Sequence, residues 1–325
     1  MTSPPWLPHA TWTRFAPRDD GSVGCLSARE VDLVMDQLGA LPARVLHLSG
    51  AELADPRPLQ TALLRAQSAG LPVEAFLPRA SLPTPLVDAF VRGGLARLSL
   101  PLDHPTSRDR DRVSVVVDQL RSSGTRPGVH TLLVEPSTPA IDDLWHTVRA
   151  LGVDRWVVSA RVWPARPSPT LEATVAKLAG LVGSGPVEVS LRYAPFFLRL
   201  CGPHPQGTIL GDRNGLCITG TGRIFPDAAI PVCVGHVQHH RLSAVFDDHP
   251  LMRALRDPDA VEGKCGSCDL RRQCGGSRAR ALATTGNLFS SDPACSYVRK
   301  VGAGYSHVGT GPNREDSTAS AARTP

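Results

Sequence analysis

Through the first two hundred residues, short apolar runs rich in β-branched side chains alternate with longer stretches whose apolar positions recur every three or four residues. The short runs Arg44–Ser49, Pro72–Leu77, Ala96–Leu100, Val129–Val134, Arg155–Ala160 and Val187–Leu191 read as strands, after an opening strand at Ala10–Phe15. Between them Ser27–Leu41, Pro58–Ala69, Thr84–Gly93, Asp109–Ser123, Ala140–Leu151 and Thr170–Gly183 read as helices. Ser27 offers the first helix its cap, and Glu30 three residues on completes a capping box. Apolar strands linked by amphipathic helices imply a parallel sheet with right-handed crossovers. The period fits a doubly wound sheet and an incomplete barrel equally, because both are made of consecutive βα units.

The pattern then changes. Proline, glycine and small polar residues thicken over Pro195–Gly211, which reads as a boundary. Beyond it, 215–226 reads as a hairpin turning at Gly220–Gly222, and His249–Leu255 as a short capped helix. Gly302–Pro325 is polar and aperiodic, the composition of a disordered tail. The expected organisation is therefore a barrel or sheet domain at 1–200, a small module at 205–301 and a tail at 302–325.

Composition narrows the class. The 325 residues are 42% hydrophobic and 20% charged, enough for one large domain and a small appended one. The net charge of +5 is spread along the chain and aromatics make up 5%, so neither a phosphate-binding stripe nor a base-stacking platform is expected. No apolar run reaches membrane-spanning length, and Met1–Pro17 lacks the basic and apolar regions of a signal peptide, so a cytoplasmic protein is expected, with neither nucleic acid nor membrane as partner. In that compartment the eight cysteines stay reduced, and metal ligation outranks disulfides.

Four of those cysteines carry the strongest chemical signal. Cys265, Cys268 and Cys274 follow Cys-x2-Cys-x5-Cys spacing, and Asp292-Pro293-Ala294-Cys295 returns a fourth thiol after a helix-like run. Such a set suits an iron–sulfur cluster or a zinc ion. Structural zinc sites usually pair two short cysteine hooks, and one is present here; the distant fourth cysteine favours a broader [4Fe–4S] cubane, with zinc as the alternative.

Lys264-Cys265-Gly266-x-Cys268, Cys274-Gly275-Gly276-Ser277-Arg278-Ala279-Arg280-Ala281, Thr285-Gly286 and Asp292-Pro293-x-Cys295 resemble the SPASM/twitch module of radical SAM proteins, in the branch related to heme and heme d1 maturation enzymes. The likeness is strong over 260–300 and looser over 205–260. It implies an auxiliary [4Fe–4S] cluster on Cys265, Cys268, Cys274 and Cys295, and a partial (β/α)6 barrel before it. His47-Leu48-Ser49-Gly50-Ala51-Glu52-Leu53 falls where that family has Ser-Gly-Gly-Glu-Pro, and Arg97–His104 where it has a strand ending in Ser-Leu-Asp-Gly.

Other family landmarks are missing. Radical SAM enzymes carry Cys-x3-Cys-x2-Cys just after the first strand, whereas here Cys25 has no cysteine before it and none after it until Cys201. One thiolate cannot do the work of three that leave an iron open to S-adenosylmethionine. Ala51 adds a Cβ to the cofactor loop, Pro101 and His104 replace its partner motif's serine and glycine, and Glu52 reads either as a relic of cofactor binding or as a polar turn residue. Asp103 reads as a helix cap. A second auxiliary cluster would need cysteines where Asp227 and Arg278 stand, so a single-cluster module is expected. Cys201, Cys217 and Cys233 read as small buried hydrophobes, and His236, His239 and His240 as a surface loop, with metal or heme ligation as the alternative.

The resemblance and its gaps together imply an iron–sulfur pseudoenzyme: a scaffold, an electron relay or the partner subunit of an active radical SAM enzyme, with a tetrapyrrole or peptide as substrate. S-adenosylmethionine is a doubtful cofactor in that reading. The alternatives are an active radical SAM enzyme with unorthodox start-cluster ligands such as His9 and Cys25, and a zinc-stabilised module on an unrelated α/β domain.

Overall fold

Each strand of the N-terminal part lies beside the one that precedes it in sequence. The structure, a computed structural model, describes residues 9–13, 26–39, 41, 43, 45–49, 56–77, 88, 90–103, 106–160, 166–201, 208, 209 and 211–297. Strands β1 (His9–Thr13), β2 (Leu46–Ser49), β3 (Val73–Phe76), β4 (Arg97–Pro101), β5 (Arg126–Leu132), β6 (Arg155–Ser159), β7 (Glu188–Arg192) and β8 (Thr208–Ile209) follow one another in sequential parallel order. A doubly wound sheet would reverse its order at a switch point, so this order selects the barrel. The first six strands make the curled half-barrel of an α/β fold, and β7 and β8 extend it. Helices α1 (Ala28–Leu38), α2 (Pro56–Ser68), α3 (Ser107–Ser122), α4 (Thr138–Leu151) and α5 (Pro169–Leu181) supply crossovers.

Local chemistry explains these boundaries. Ser27 and Glu30 form the expected capping box, with Ser27 N donating to Glu30 Oε2 at 2.8 Å and Glu30 N donating to Ser27 Oγ at 3.3 Å. Thr106, Ser137 and Ser168 cap α3, α4 and α5. Asp103 does not cap a helix: its Oδ1 accepts the Leu132 N–H at 2.7 Å and ties the end of β4 to β5. β5 also begins three residues earlier than its apolar pattern, through Pro127 and Gly128. A Cβ on Gly128 would stand 2.8 Å from Ser99 Oγ, so glycine is what lets the neighbouring strand's side chains cross it.

Alternation separates two faces. Leu46, Leu48, Val73, Ala75, Leu98, Leu100, Val129, Trp156, Val158, Val189 and Leu191 pack outward under the helices, whereas Phe76 and Val157 form a separate apolar contact on the concave face. At the N-terminal end, that concave face is closed by charge. Arg97 and Arg155 reach Glu74 at 2.9 and 3.0 Å and Glu188 at 3.5 and 3.3 Å, and His47 Nδ1 lies 3.5 Å from Glu74. Two guanidinium groups balance two carboxylates, as burial demands. Burial, and then Arg155 beside it, hold the Arg97 guanidinium below its ordinary value.

The sheet continues into the C-terminal part. β9 (Gly215–Ile218) pairs parallel with β1 and turns back antiparallel as β10 (Arg223–Phe225), the hairpin expected at Gly220–Gly222, before β11 (Gly235–His236) closes the edge. Short helices α6 (Leu242–Asp248), α7 (Pro250–Arg256), α8 (Gly263–Gly266) and α9 (Arg278–Thr285) lead into and out of the cysteine segment. No helix among the described residues is long and apolar enough to cross a membrane. The sequence-predicted tail at 302–325 lies outside the described residues.

Candidate metal centre

Cys265 sits in α8, Cys268 in the turn that follows, Cys274 before a pair of left-handed glycines, and Cys295 in the loop returning from α9. The glycines of the motif are steric necessities. A Cβ on Gly266 would lie 2.1 Å from the Val261 carbonyl oxygen. Gly276, at φ +70, leaves room for Cys265 Sγ, which a Cβ would approach to 3.2 Å. Gly286, at φ 73, ends α9 so that the chain can return to Asp292 and Cys295.

Cys265, Cys268, Cys274 and Cys295 line one pocket, with Phe196, Lys264, Arg271 and Tyr297 among its other walls. Each sulfur also receives a backbone hydrogen bond. Asp292 N donates to Cys265 Sγ at 3.3 Å, Leu270 N to Cys268 Sγ at 3.4 Å and Gly276 N to Cys274 Sγ at 3.4 Å, while the Tyr297 backbone serves Cys295. Such bonds stabilise thiolates and tune a bound metal. Burial pushes the Cys268, Cys274 and Cys295 thiols up, and Arg199 and Lys264 pull Cys295 the other way. These three thiols are therefore held towards the protonated form until a cation offsets the burial, and loading releases protons. Among the described residues no three His, Cys, Asp or Glu side chains stand close enough together to hold one metal ion.

The positions that the resemblance would give to a second cluster are committed to the protein's own structure. Asp227 is buried and accepts the Tyr193 hydroxyl and the Ala229 N–H, both at 2.8 Å. Arg278 is fully buried and donates to the Leu288 and Ser290 carbonyls at 2.9 and 2.7 Å.

Sequence reasoning missed the residues that join this centre to the barrel. Arg280, from α9, donates from Nη1 to both carboxylate oxygens of Asp292 and from Nη2 to the carbonyls of Ala160 and Tyr193 at 2.8 Å, at the ends of β6 and β7. Arg199 and Glu172 form an ion pair that clasps Ser296, next to Cys295, at 2.9 and 2.6 Å. Two arginines, Arg278 and Arg280, alternating with small residues in one helix turn were the available signal for Arg280.

The other candidates fall apart from the thiols. His236, His239 and His240 form a turn in which Nδ1 of His236 accepts Gln238 N, Nε2 of His236 meets the Thr221 carbonyl, and Nδ1 of His240 accepts His236 N. These bonds occupy the ring nitrogens that a metal would need, except those of His239 and Nε2 of His240. Cys217 is buried in β9 as expected, but Cys233 is exposed, its thiol donating to the Gly235 carbonyl at 3.3 Å, because it lies in the irregular stretch between β10 and β11. Cys25, Glu52 and the side chains of His9 and Cys201 lie outside the described residues. β1 itself is in place, and the sequence that follows it, 14–25, carries one cysteine, Cys25.

No protein-family profile matches the chain. Individual proteins do. The AdoMet-dependent heme synthase of Methanosarcina barkeri is 23% identical over 309 residues, spanning 84% of this chain and 88% of the relative. The PqqA peptide cyclase of Gluconobacter oxydans is 26% identical over 290 residues, spanning 81% and 80%. Among solved structures, Streptococcus suis SuiB bound to S-adenosylmethionine superposes with a TM-score of 0.66 at 13% identity, covering 90% of this chain and 78% of that one; SuiB bound to precursor peptide SuiA gives 0.59. By these relatives, this strand order and this cysteine segment, the chain is similar to radical SAM/SPASM (twitch-type) proteins, and its sequence lacks Cys-x3-Cys-x2-Cys.

Proposed function

We propose that the chain is a cluster-binding member of its family that no longer initiates radicals: a scaffold, electron relay or partner subunit in peptide or tetrapyrrole maturation. The observation that carries the cluster is that Cys265, Cys268, Cys274 and Cys295 line one pocket and that each of their sulfurs has its own backbone donor. Cys265, Cys268, Cys274 and Cys295 would ligate one [4Fe–4S] group completely, leaving no iron open to substrate; such a group supplies electron transfer or structural support. The loss of radical initiation rests on the single cysteine of the segment after β1. The substrate class follows the relatives, since PqqA peptide cyclase is named for a peptide, SuiB binds its precursor peptide, and heme synthase is named for a tetrapyrrole.

Anaerobic purification with iron, sulfide and zinc analysis tests this. The expected result is about four irons per chain, lost in Cys268→Ala, with no reductive cleavage of S-adenosylmethionine. About eight irons together with 5′-deoxyadenosine would instead establish an active radical SAM enzyme with unorthodox ligands, in keeping with its enzyme relatives. Zinc without visible colour would replace the cluster.

A further inference from the structure

The concave face of the half-barrel holds an arginine that forms no ion pair with an acidic side chain among the described residues. Arg97 and Arg155, also on that face, are both paired with Glu74 and Glu188. Arg192, at the C-terminal end of β7, instead lies over the rings of Phe76 and Tyr193, at 5.8 and 5.6 Å, and its Nε is buried with no hydrogen-bond partner among the described residues. Phe76 is met edge-on at 5.8 Å by the ring of His130, from β5. That ring is hydrogen-bonded to the Ser99 backbone, while its Nδ1 is buried and also without a partner among the described residues. Burial lowers His130 to about 4, so the imidazole is neutral near pH 7. With the ring donating to the Ser99 carbonyl, Nδ1 presents a lone pair.

A guanidinium without a carboxylate calls for an anion, and a buried lone pair beside it calls for an N–H or O–H. The neighbouring guanidinium, Arg280, is already spent on Asp292 and two carbonyls, so among the described residues the site offers one positive charge. That suits a carboxylate better than a phosphate dianion. We propose that Arg192 and His130 recognise the carboxylate and adjacent N–H of an N-acylated amino-acid unit, the group that a peptide's C-terminal residue presents. The inference rests on the reading of the barrel as a ligand-holding scaffold, with peptide as its substrate class, and is independent of what the thiolates bind.

Saturation-transfer NMR on the full chain, with N-acetylglycine as the probe, tests it. N-acetylglycinamide, which lacks the charge, should bind about tenfold more weakly, and N-acetylsarcosine, which lacks the N–H, about threefold more weakly. Arg192→Gln should erase the first difference and Arg192→Lys retain it, whereas His130→Phe should erase the second alone. Circular dichroism on the same samples verifies that each variant is folded. Failure of N-acetylglycine to bind, equal binding of the amide, or unchanged discrimination in folded Arg192→Gln overturns the proposal. So does S-adenosylmethionine or inorganic phosphate binding more tightly than N-acetylglycine through the same residues. Iron measured in parallel separates the two readings: an iron-free chain that passes the binding test sinks the cluster, and an iron-loaded chain that fails it sinks this site alone.

Discussion

Arg280 and Asp292 form a buried ion pair, with Nη1 at 3.2 and 3.1 Å from the two carboxylate oxygens, and the Asp292 N–H is itself bonded to Cys265 Sγ. The other terminal nitrogen of Arg280 holds two carbonyls at the ends of barrel strands. One side chain therefore ties a thiol of the candidate centre to the mouth of the barrel. Removing one partner leaves the other charge buried and uncompensated. Arg280→Met should cost roughly 3–5 kcal/mol in urea denaturation and lower the iron bound per chain. Unchanged stability and iron content would mean that the pair does not couple the two parts.

Gly276 and Gly286 are both left-handed, at φ +70 and +73, but differ in their surroundings. A Cβ on Gly276 would meet Asp292 Cβ at 2.8 Å and Cys265 Sγ at 3.2 Å, whereas one on Gly286 meets nothing within 4 Å. Gly286→Ala should cost only the backbone penalty, about 1 kcal/mol, with iron content intact. Gly276→Ala should cost more and lose iron. Equal iron in the two purified variants would contradict the steric argument.

His130 makes stability depend on pH. Its folded value, about 4, lies below the 6.5 of an ordinary histidine, with burial the main cause and Arg192 adding to it against Asp103. Between those values the unfolded chain binds the proton and the folded chain does not, so stability falls as pH drops from about 6.5 towards 4. The full effect is roughly 3 kcal/mol. Urea midpoints at pH 7 and pH 5 should differ less in His130→Gln than in the parent protein; an identical pH slope would refute the assignment.

The ion cluster at the N-terminal end of the barrel should be far more sensitive than surface pairs. Glu74→Gln leaves Arg97 and Arg155 short of a carboxylate and should cost roughly 3–5 kcal/mol. Asp154→Asn breaks the exposed 2.8 Å pair with Arg126 and should cost less than about 1 kcal/mol. Comparable losses in thermal or urea unfolding would contradict the burial argument.

Sequence alone determined the alternation of strands and helices, the capping box at Ser27 and Glu30, the hairpin after Gly215 and the four thiols at Cys265, Cys268, Cys274 and Cys295, because these signals are local: spacing, periodicity and turn chemistry. It also established that the segment after β1 carries one cysteine. Choosing a barrel over a doubly wound sheet required the strand order, which no local pattern encodes. The early start of β5 was hidden because Pro127 and Gly128 look like strand breakers until Ser99 is seen to need the space. Asp103 looked like a cap because its partner, Leu132, is a neighbour only across the sheet. Arg280, Arg192 and His130 were illegible for the same reason: their roles come from residues far away in sequence, and only the tertiary structure decides which charges meet a partner.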